Sequence, residues 1–205
     1  MTRRRTAGVQ AGGAETREAI LSAAERLMIA EGYERASIAR TCRESGYPVG
    51  SLYYHFGSKA ALLAAVYQRF EKRFFDNLTQ AVQAAGTAEE GLMTFWNGTV
   101  QAVLDDYPYF TLNLELLRIS HEDPEIAAIM DADTRAFEQH IAAAFATFAT
   151  AAGVPDADDR ADRMARVTTT YSRAAIMIAG DDQDLYLRHM ADFYPVLQQM
   201  IAGSG

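Results

Sequence analysis

Apolar residues recur at three- and four-residue spacing along almost the whole chain, the period of helices that bury one face. Ile20, Ala23, Ala24, Leu27 and Met28 set that stripe for a first helix over about 16–31, closed by Gly32. Ser37 is placed to cap a short helix over about 38–44 that stops at Gly46. Pro48 then stands near the first turn of another short helix reaching about Tyr54, where a missing N–H is harmless. Ser58 caps a long helix to about Ala85, interrupted only at Gly86. Thr87-Ala88-Glu89-Glu90 reads as a capping box for a helix to about Asp105, and Pro108 opens another ending near His121. Asp123-Pro124 starts a helix to about Ala152, broken by Gly153-Val154-Pro155, and helices over about 157–179 and 183–201 follow. No apolar–polar alternation lasts five residues, so strands are not expected. The pattern predicts an all-α chain of about nine helices.

Composition changes this picture little, but charge changes it a great deal. With 49% apolar and 22% charged residues the 205-residue chain is an ordinary globular protein, and no window resembles a membrane span. Its one cysteine, Cys42, forms no internal disulfide, which fits a reducing cytoplasm. The opening MTRRRTAGVQAGG is basic without an apolar run, unlike a secretory signal. Net charge is −8, which alone argues against nucleic acid. Residues 1–75, however, hold 12 Lys and Arg against 7 Asp and Glu, while residues 76–205 hold 7 against 20. A front of net +5 on a body of net −13 is the asymmetry expected when one part alone meets a polyanion. The expected organisation is a disordered basic arm over 1–14, a helix-turn-helix domain over 15–60 and a helical domain over 61–205.

Three short helices with a tight Ser45-Gly46-Tyr47 link between the second and third describe a helix-turn-helix. The major groove of B-DNA, about 12 Å wide, admits one helix, and the preceding helix braces it against the backbone. Within this segment Gly46, Gly50-Ser51-Leu52-Tyr53-Tyr54-His55-Phe56 and Ser58-Lys59 resemble the DNA-binding domain of TetR-family transcriptional regulators. Upstream, Arg17-Glu18-Ala19-Ile20-Leu21, Ala23-Ala24 and Glu31-Gly32-Tyr33 are similar in the same way, so the likeness covers about residues 16–66. It implies a homodimeric, all-helical regulator, a repressor, whose head binds a double-stranded DNA operator and whose body binds a small-molecule effector. Leu114-Glu115-Leu116 and Asp123-Pro124-Glu125 loosely resemble a frequent body type in that family and name no effector.

The resemblance places Tyr53 and His55 at phosphate-binding positions, and both are short, stiff donors suited to that task. Lys59 is expected to set its ammonium against a phosphate, assisted by the dipole of the long helix. Pro48, Val49, Ser51 and Tyr54 occupy the exposed side of the third helix and are the candidates for base edges. Family members often carry a polar or basic residue where Val49 stands, so hydrogen-bond readout by this helix is thin. Arg40 and Arg43 on the bracing helix supply readout or bind phosphate, and Ser37 is both a cap and a phosphate donor. Thr41-Cys42 replaces the apolar-Ala pair usual there. Cys42 reads as a small buried hydrophobe, with a redox sensor as the alternative. Arg3, Arg4 and Arg5 reach a minor groove or remain solvated.

In the acidic part, aromatic residues exceed what packing a small bundle needs, and an apolar pocket with a few polar groups is expected. The candidate ligand-binding residues are Phe95, Trp96, Phe110, Asn113, Arg118, Phe137, His140 and Tyr171. Wide apolar faces on the last two helices are expected to pair with a second copy, and a two-fold dimer predicts a palindromic operator. No H-x-x-x-H, C-x-x-C, P-loop, G-x-G-x-x-G or G-x-S-x-G occurs, so neither metal, cofactor nor catalysis is expected. The alternative reading is a DNA-binding regulator without a small-molecule effector, controlled by a protein partner.

Overall fold

The structure, a computed structural model, describes the backbone of residues 3–83 and 88–202, with side chains over 12–76 and 90–201. Nine α-helices and no strand occur among the described residues. In chain order they are α1 (Arg3–Glu31), α2 (Ile38–Ser45), α3 (Val49–Phe56), α4 (Lys59–Gln83), α5 (Ala88–Asp105), α6 (Tyr107–Ile119), α7 (Pro124–Ala151), α8 (Ala157–Ala179) and α9 (Gln183–Ala202). No helix among the described residues is long and apolar enough to cross a membrane.

Local chemistry accounts for most boundaries. Ser37 Oγ accepts the Arg40 N–H at 3.3 Å and caps α2, and Gly46, at φ +77°, ends it in the left-handed conformation that glycine tolerates. Ser58 Oγ accepts the Ala61 N–H at 2.9 Å to open α4, and Asp123 Oδ1 accepts the Glu125 and Ile126 N–H groups to open α7. Pro48 caps α3 from outside rather than sitting in its first turn. The first helix is longer than its stripe predicts and begins at Arg3. Residues 3–14 hold three Arg, three Ala and three Gly and no proline, and Thr16 Oγ1 donates back to the Gly12 carbonyl at 2.7 Å. The capping box at Thr87 and the interruption at Gly86 lie outside the described residues. α9 contains Pro195, which leaves the Ala191 carbonyl without its helical donor.

The chain divides into two compact units. The first comprises residues up to Phe70 together with Glu115–Ile129, and the second comprises Glu71–Leu114 with the residues from Met130 onward. The first is therefore larger than a head confined to 15–60. Its core holds Ile20, Leu27, Met28, Leu52, Leu63 and Val66, with Leu116 and Ile126 from the later segment. Ile38 and Phe56 are only half-buried, and the Phe56 ring lies under the Arg17 guanidinium at 5.0 Å. In the second unit α8 packs along α9, and α5 also meets α9.

Candidate functional site

In α3 one side chain faces in and its neighbours face out. Leu52 is wholly buried, whereas Val49 is 44% exposed, Tyr53 49% and Tyr54 85%. Residues three and four apart share a helical face, so Val49 and Tyr53 stand together, as do Gly50 and Tyr54. Pro48 and Gly50 are exposed, and Ser51 is half-buried. His55 is half-buried, its ring set edge-on to Tyr54 at 5.0 Å. No carboxylate lies on α3, so its exposed face offers phenols, an imidazole, a hydroxyl and apolar atoms without repelling a polyanion.

The basic residues divide. Arg43 is exposed on α2. Arg40 is gripped by Glu31 of α1 through both terminal nitrogens, Nη2 at 2.6 Å, and this pairing lowers the Glu31 pKa and raises that of Arg40. Lys59 also differs from expectation. Its Nζ donates to the Tyr33 carbonyl at 2.6 Å and the Glu34 carbonyl at 3.2 Å, and lies 4.2 Å from the centre of the Tyr33 ring. Partial burial lowers its pKa, against the pull of Glu34 and Glu115. The ammonium is thus tied to the backbone of the turn that follows α1. Gly32 within that turn sits at φ +86°, where a Cβ would fall 2.6 Å from Glu115 Oε2. Burial, with Asp123 and Glu125 nearby, pushes the Tyr33 phenol up to about 12. Cys42 is buried and its thiol is pushed up by that burial, as expected of a packing residue rather than a reactive thiolate.

The eight ligand candidates separate into two groups and two singletons. Phe110, Phe137 and His140 gather around Phe74 and Phe75 of α4: Phe110–Phe74 at 5.9 Å, Phe137–Phe75 at 5.0 Å, and His140 stacked on Phe75 at 4.3 Å. Asn113 is buried beside them in the same unit. Phe95 packs instead with Phe145 and Phe148, as core. Trp96 and Tyr171 both meet Phe193, Tyr171 stacked on it at 4.3 Å with its hydroxyl donating to the His189 carbonyl. Arg118 is exposed and belongs to the other unit, so it does not join this set. A groove of about 260 Å³ runs along Trp96, Asn97, Val100, Gln101, Leu187, Met190 and Ala191.

The pattern reading missed a polar cluster beside the first aromatic group. Asn113 Nδ2 donates to Asp133 Oδ2 at 3.3 Å, and Arg173 Nη2 donates to Thr134 Oγ1 at 2.9 Å. Burial first, and then the charge of Glu71, push the Asp133 carboxyl up to about 7, against Arg173 and the Asn113 hydrogen bond. Burial likewise raises Glu71, whose Oε1 is sealed from solvent without a hydrogen-bond partner. A signal was present: Asp133 interrupts the stripe Met130, Phe137, Ile141 on α7, and Glu71 falls on the period of Phe74 and Phe75.

Residues 20–66, which hold α2, α3 and the start of α4, match the model of bacterial regulatory proteins of the tetR family. The head therefore looks like a TetR-family DNA-binding head. It is 35% identical over 82 residues to the HTH-type transcriptional regulator LmrA of Bacillus subtilis, covering 40% of this chain and 44% of that one. It is 26% identical over 113 residues to the HTH-type transcriptional repressor AcnR of Corynebacterium efficiens, covering 55% of each. The chain thus spans about half the length of these curated relatives, which are transcription regulators and not enzymes. The likeness in fold extends over about nine-tenths of the chain. A transcriptional regulator of Saccharomonospora viridis in complex with choline superposes with a TM-score of 0.67 at 23% identity, covering 89% of this chain and 96% of that one. The regulator FadR of Bacillus subtilis in complex with stearoyl-CoA gives 0.67 at 14%, covering 92% and 99%.

Proposed function

We propose that this chain is a TetR-family, ligand-responsive repressor in the cytoplasm that binds a palindromic operator as a homodimer. The observation that carries the reading is α3 itself, anchored by Leu52 and presenting Val49, Tyr53 and Tyr54 outward on a net-basic segment. Tyr53, His55, Arg43 and Ser37 take phosphate oxygens, while Pro48, Val49, Ser51 and Tyr54 meet base edges, Val49 through apolar contact alone. Arg40 and Lys59 act from beneath by fixing α2 and α4 on α1 and its turn. Functionally the division is a head ending near residue 60 and an effector and dimer domain beyond it.

Dimerisation uses the outer faces of α8 and α9, where Val167, Met177, Ile178, Leu187 and Val196 are exposed. The expected apolar stripes are only partly free for this. Met164, Ala175, Met190, Phe193, Leu197 and Ile201 are already buried within one chain, because α8 and α9 pack on each other first. Two-fold symmetry sets two α3 helices about 34–36 Å apart on successive turns of DNA. An effector releases the operator only if it binds the incompetent spacing of the heads better than the competent one. The choline and stearoyl-CoA complexes of its fold relatives support a small-molecule effector, apolar or aromatic in its main part. The interlocked Phe95, Phe145 and Phe148 favour the second reading, a body packed shut and controlled by a protein partner. Selection of bound fragments from genomic DNA, followed by titration of the recovered operator, tests the proposal. A protein that binds all DNA equally and only at low salt would refute it.

A further inference from the structure

We infer that Arg17 of α1 is a phosphate ligand of the bound duplex, held for that use over the ring of Phe56 at the end of α3. This rests on reading α3 as the helix that meets DNA, and adds a contact outside the set expected from the sequence. Most other cations of the first unit are already engaged. Arg40 is bound by Glu31, and Arg69 by Glu18 and Glu25. Arg35 Nε donates to the Glu31 carbonyl at 2.7 Å. Lys59, the cation expected to meet a phosphate beside α3, donates instead to two carbonyls of its own chain. Arg17, Arg26 and Arg43 are exposed, and among the described residues no acid pairs with any of them.

Position separates these three. The residues three and four away from Arg17 on α1 are Gly13, Ala14, Ile20 and Leu21, so its own helix brings it no carboxylate. The adjacent acid, Glu18, is turned to Arg69 Nη2 at 2.7 Å and to Ser22 Oγ at 3.1 Å. Arg17 meets an aromatic face instead, its guanidinium 5.0 Å from the centre of the Phe56 ring. Phe56 is the last residue of α3, and its ring stands edge-on to that of His55 at 6.4 Å. Stacking occupies the flat face of a guanidinium and leaves the N–H donors in its plane free. A phosphate takes two such donors side by side, and a side chain already held on a ring loses less freedom in binding it. No carboxylate on α3 stands in the way. Arg26 lies nine residues further along α1, about two and a half turns, and so stands on the opposite side of that helix. It is a matched cation without α3 beside it.

The test uses the full chain, a duplex recovered by selection from genomic DNA and an unrelated duplex of equal length, with affinities followed by fluorescence anisotropy from about 50 to 200 mM salt. Arg17→Gln should weaken binding to both duplexes alike, by roughly tenfold, and lower the salt slope by about one unit for each chain bound. Arg26→Gln removes the same charge from the other side of α1 and should leave the slope unchanged. Arg17→Lys keeps a cation and should hold the wild-type slope, whereas a purely stacking role needs the planar guanidinium and would not be rescued. Phe56→Leu should weaken binding in the wild-type chain and not in Arg17→Gln, and equal losses in the two backgrounds would overturn the part given to Phe56. An unchanged slope for Arg17→Gln, or equal reductions for Arg17→Gln and Arg26→Gln, overturns the assignment and leaves the DNA-binding reading standing. A lowered melting temperature for Arg17→Gln with the slope unchanged makes the stacked pair an internal brace and overturns the assignment alone. If the wild-type chain binds neither duplex, both fall.

Discussion

In the first unit the charged side chains close on neighbours: Arg40 on Glu31, Arg69 on Glu18 and Glu25, Lys59 on the carbonyls of Tyr33 and Glu34. In the second, Glu71 Oε1, the Thr168 and Thr169 hydroxyls and His189 Nε2 are buried without hydrogen-bond partners, a condition the first unit shows at Arg40 Nε. One region spends its polar groups on holding three short helices in register, and its outward face is left to phenols and apolar atoms. The other keeps polar groups inside. Precision before contact is what the first needs, and the second carries several buried polar atoms that its own helices leave unpaired.

The strongest way to break this contrast is to remove the anchor of α3. Leu52→Ala, at a wholly buried position, should destabilise the first unit by about 2–5 kcal/mol and abolish operator binding, as measured by denaturant melts and gel shift. Full operator affinity in this variant would mean that α3 is not positioned by its core.

The next test titrates the second unit. The Asp133 carboxyl, ordinarily near 3.8, titrates at about 7 when folded, so between those values the native state binds more protons than the unfolded chain. Stability therefore falls as pH rises from about 4 to 7, by of order 2–4 kcal/mol, and is highest where Asp133 is protonated in both states. Asp133→Asn should flatten that slope in melts taken across the range, and a variant with the same slope would contradict the assignment.

Smaller effects sharpen the account of the head. Lys59→Ala should cost about 1–2 kcal/mol of stability through the lost charge-assisted hydrogen bonds, while leaving the salt dependence of operator binding unchanged. A slope reduced by about one unit would restore the lysine as a phosphate ligand. Tyr53→Phe removes one exposed hydroxyl and should weaken operator binding by roughly 1 kcal/mol without changing which sequence is preferred, in competition assays with altered operators.

Much of this was legible in the amino-acid order because helices announce themselves locally. Ser37, Gly46, Ser58 and Asp123 act within four residues of where they stand, and the stripe through Ile20 and Leu27 is buried as its period requires. What was not legible depends on partners distant in sequence. Lys59 finds carbonyls 26 and 25 residues away, and nothing at position 59 distinguishes that use from a phosphate contact. Arg118 looked like a polar group of the aromatic set, yet the helix carrying it contributes that segment to the other unit. Glu71 and Asp133 were overlooked because a carboxylate inside a helix is read as solvated by default. Their place on apolar stripes was the available signal.

Cys42 is the chain's one thiol, and it is shut beneath α2 with its ionisation suppressed. Alkylating reagents therefore reach it only during moments when the helix-turn-helix comes apart, so the rate of labelling under native conditions counts those openings. The protein carries a built-in gauge of how tightly its reading helices are held, and operator DNA should slow that clock.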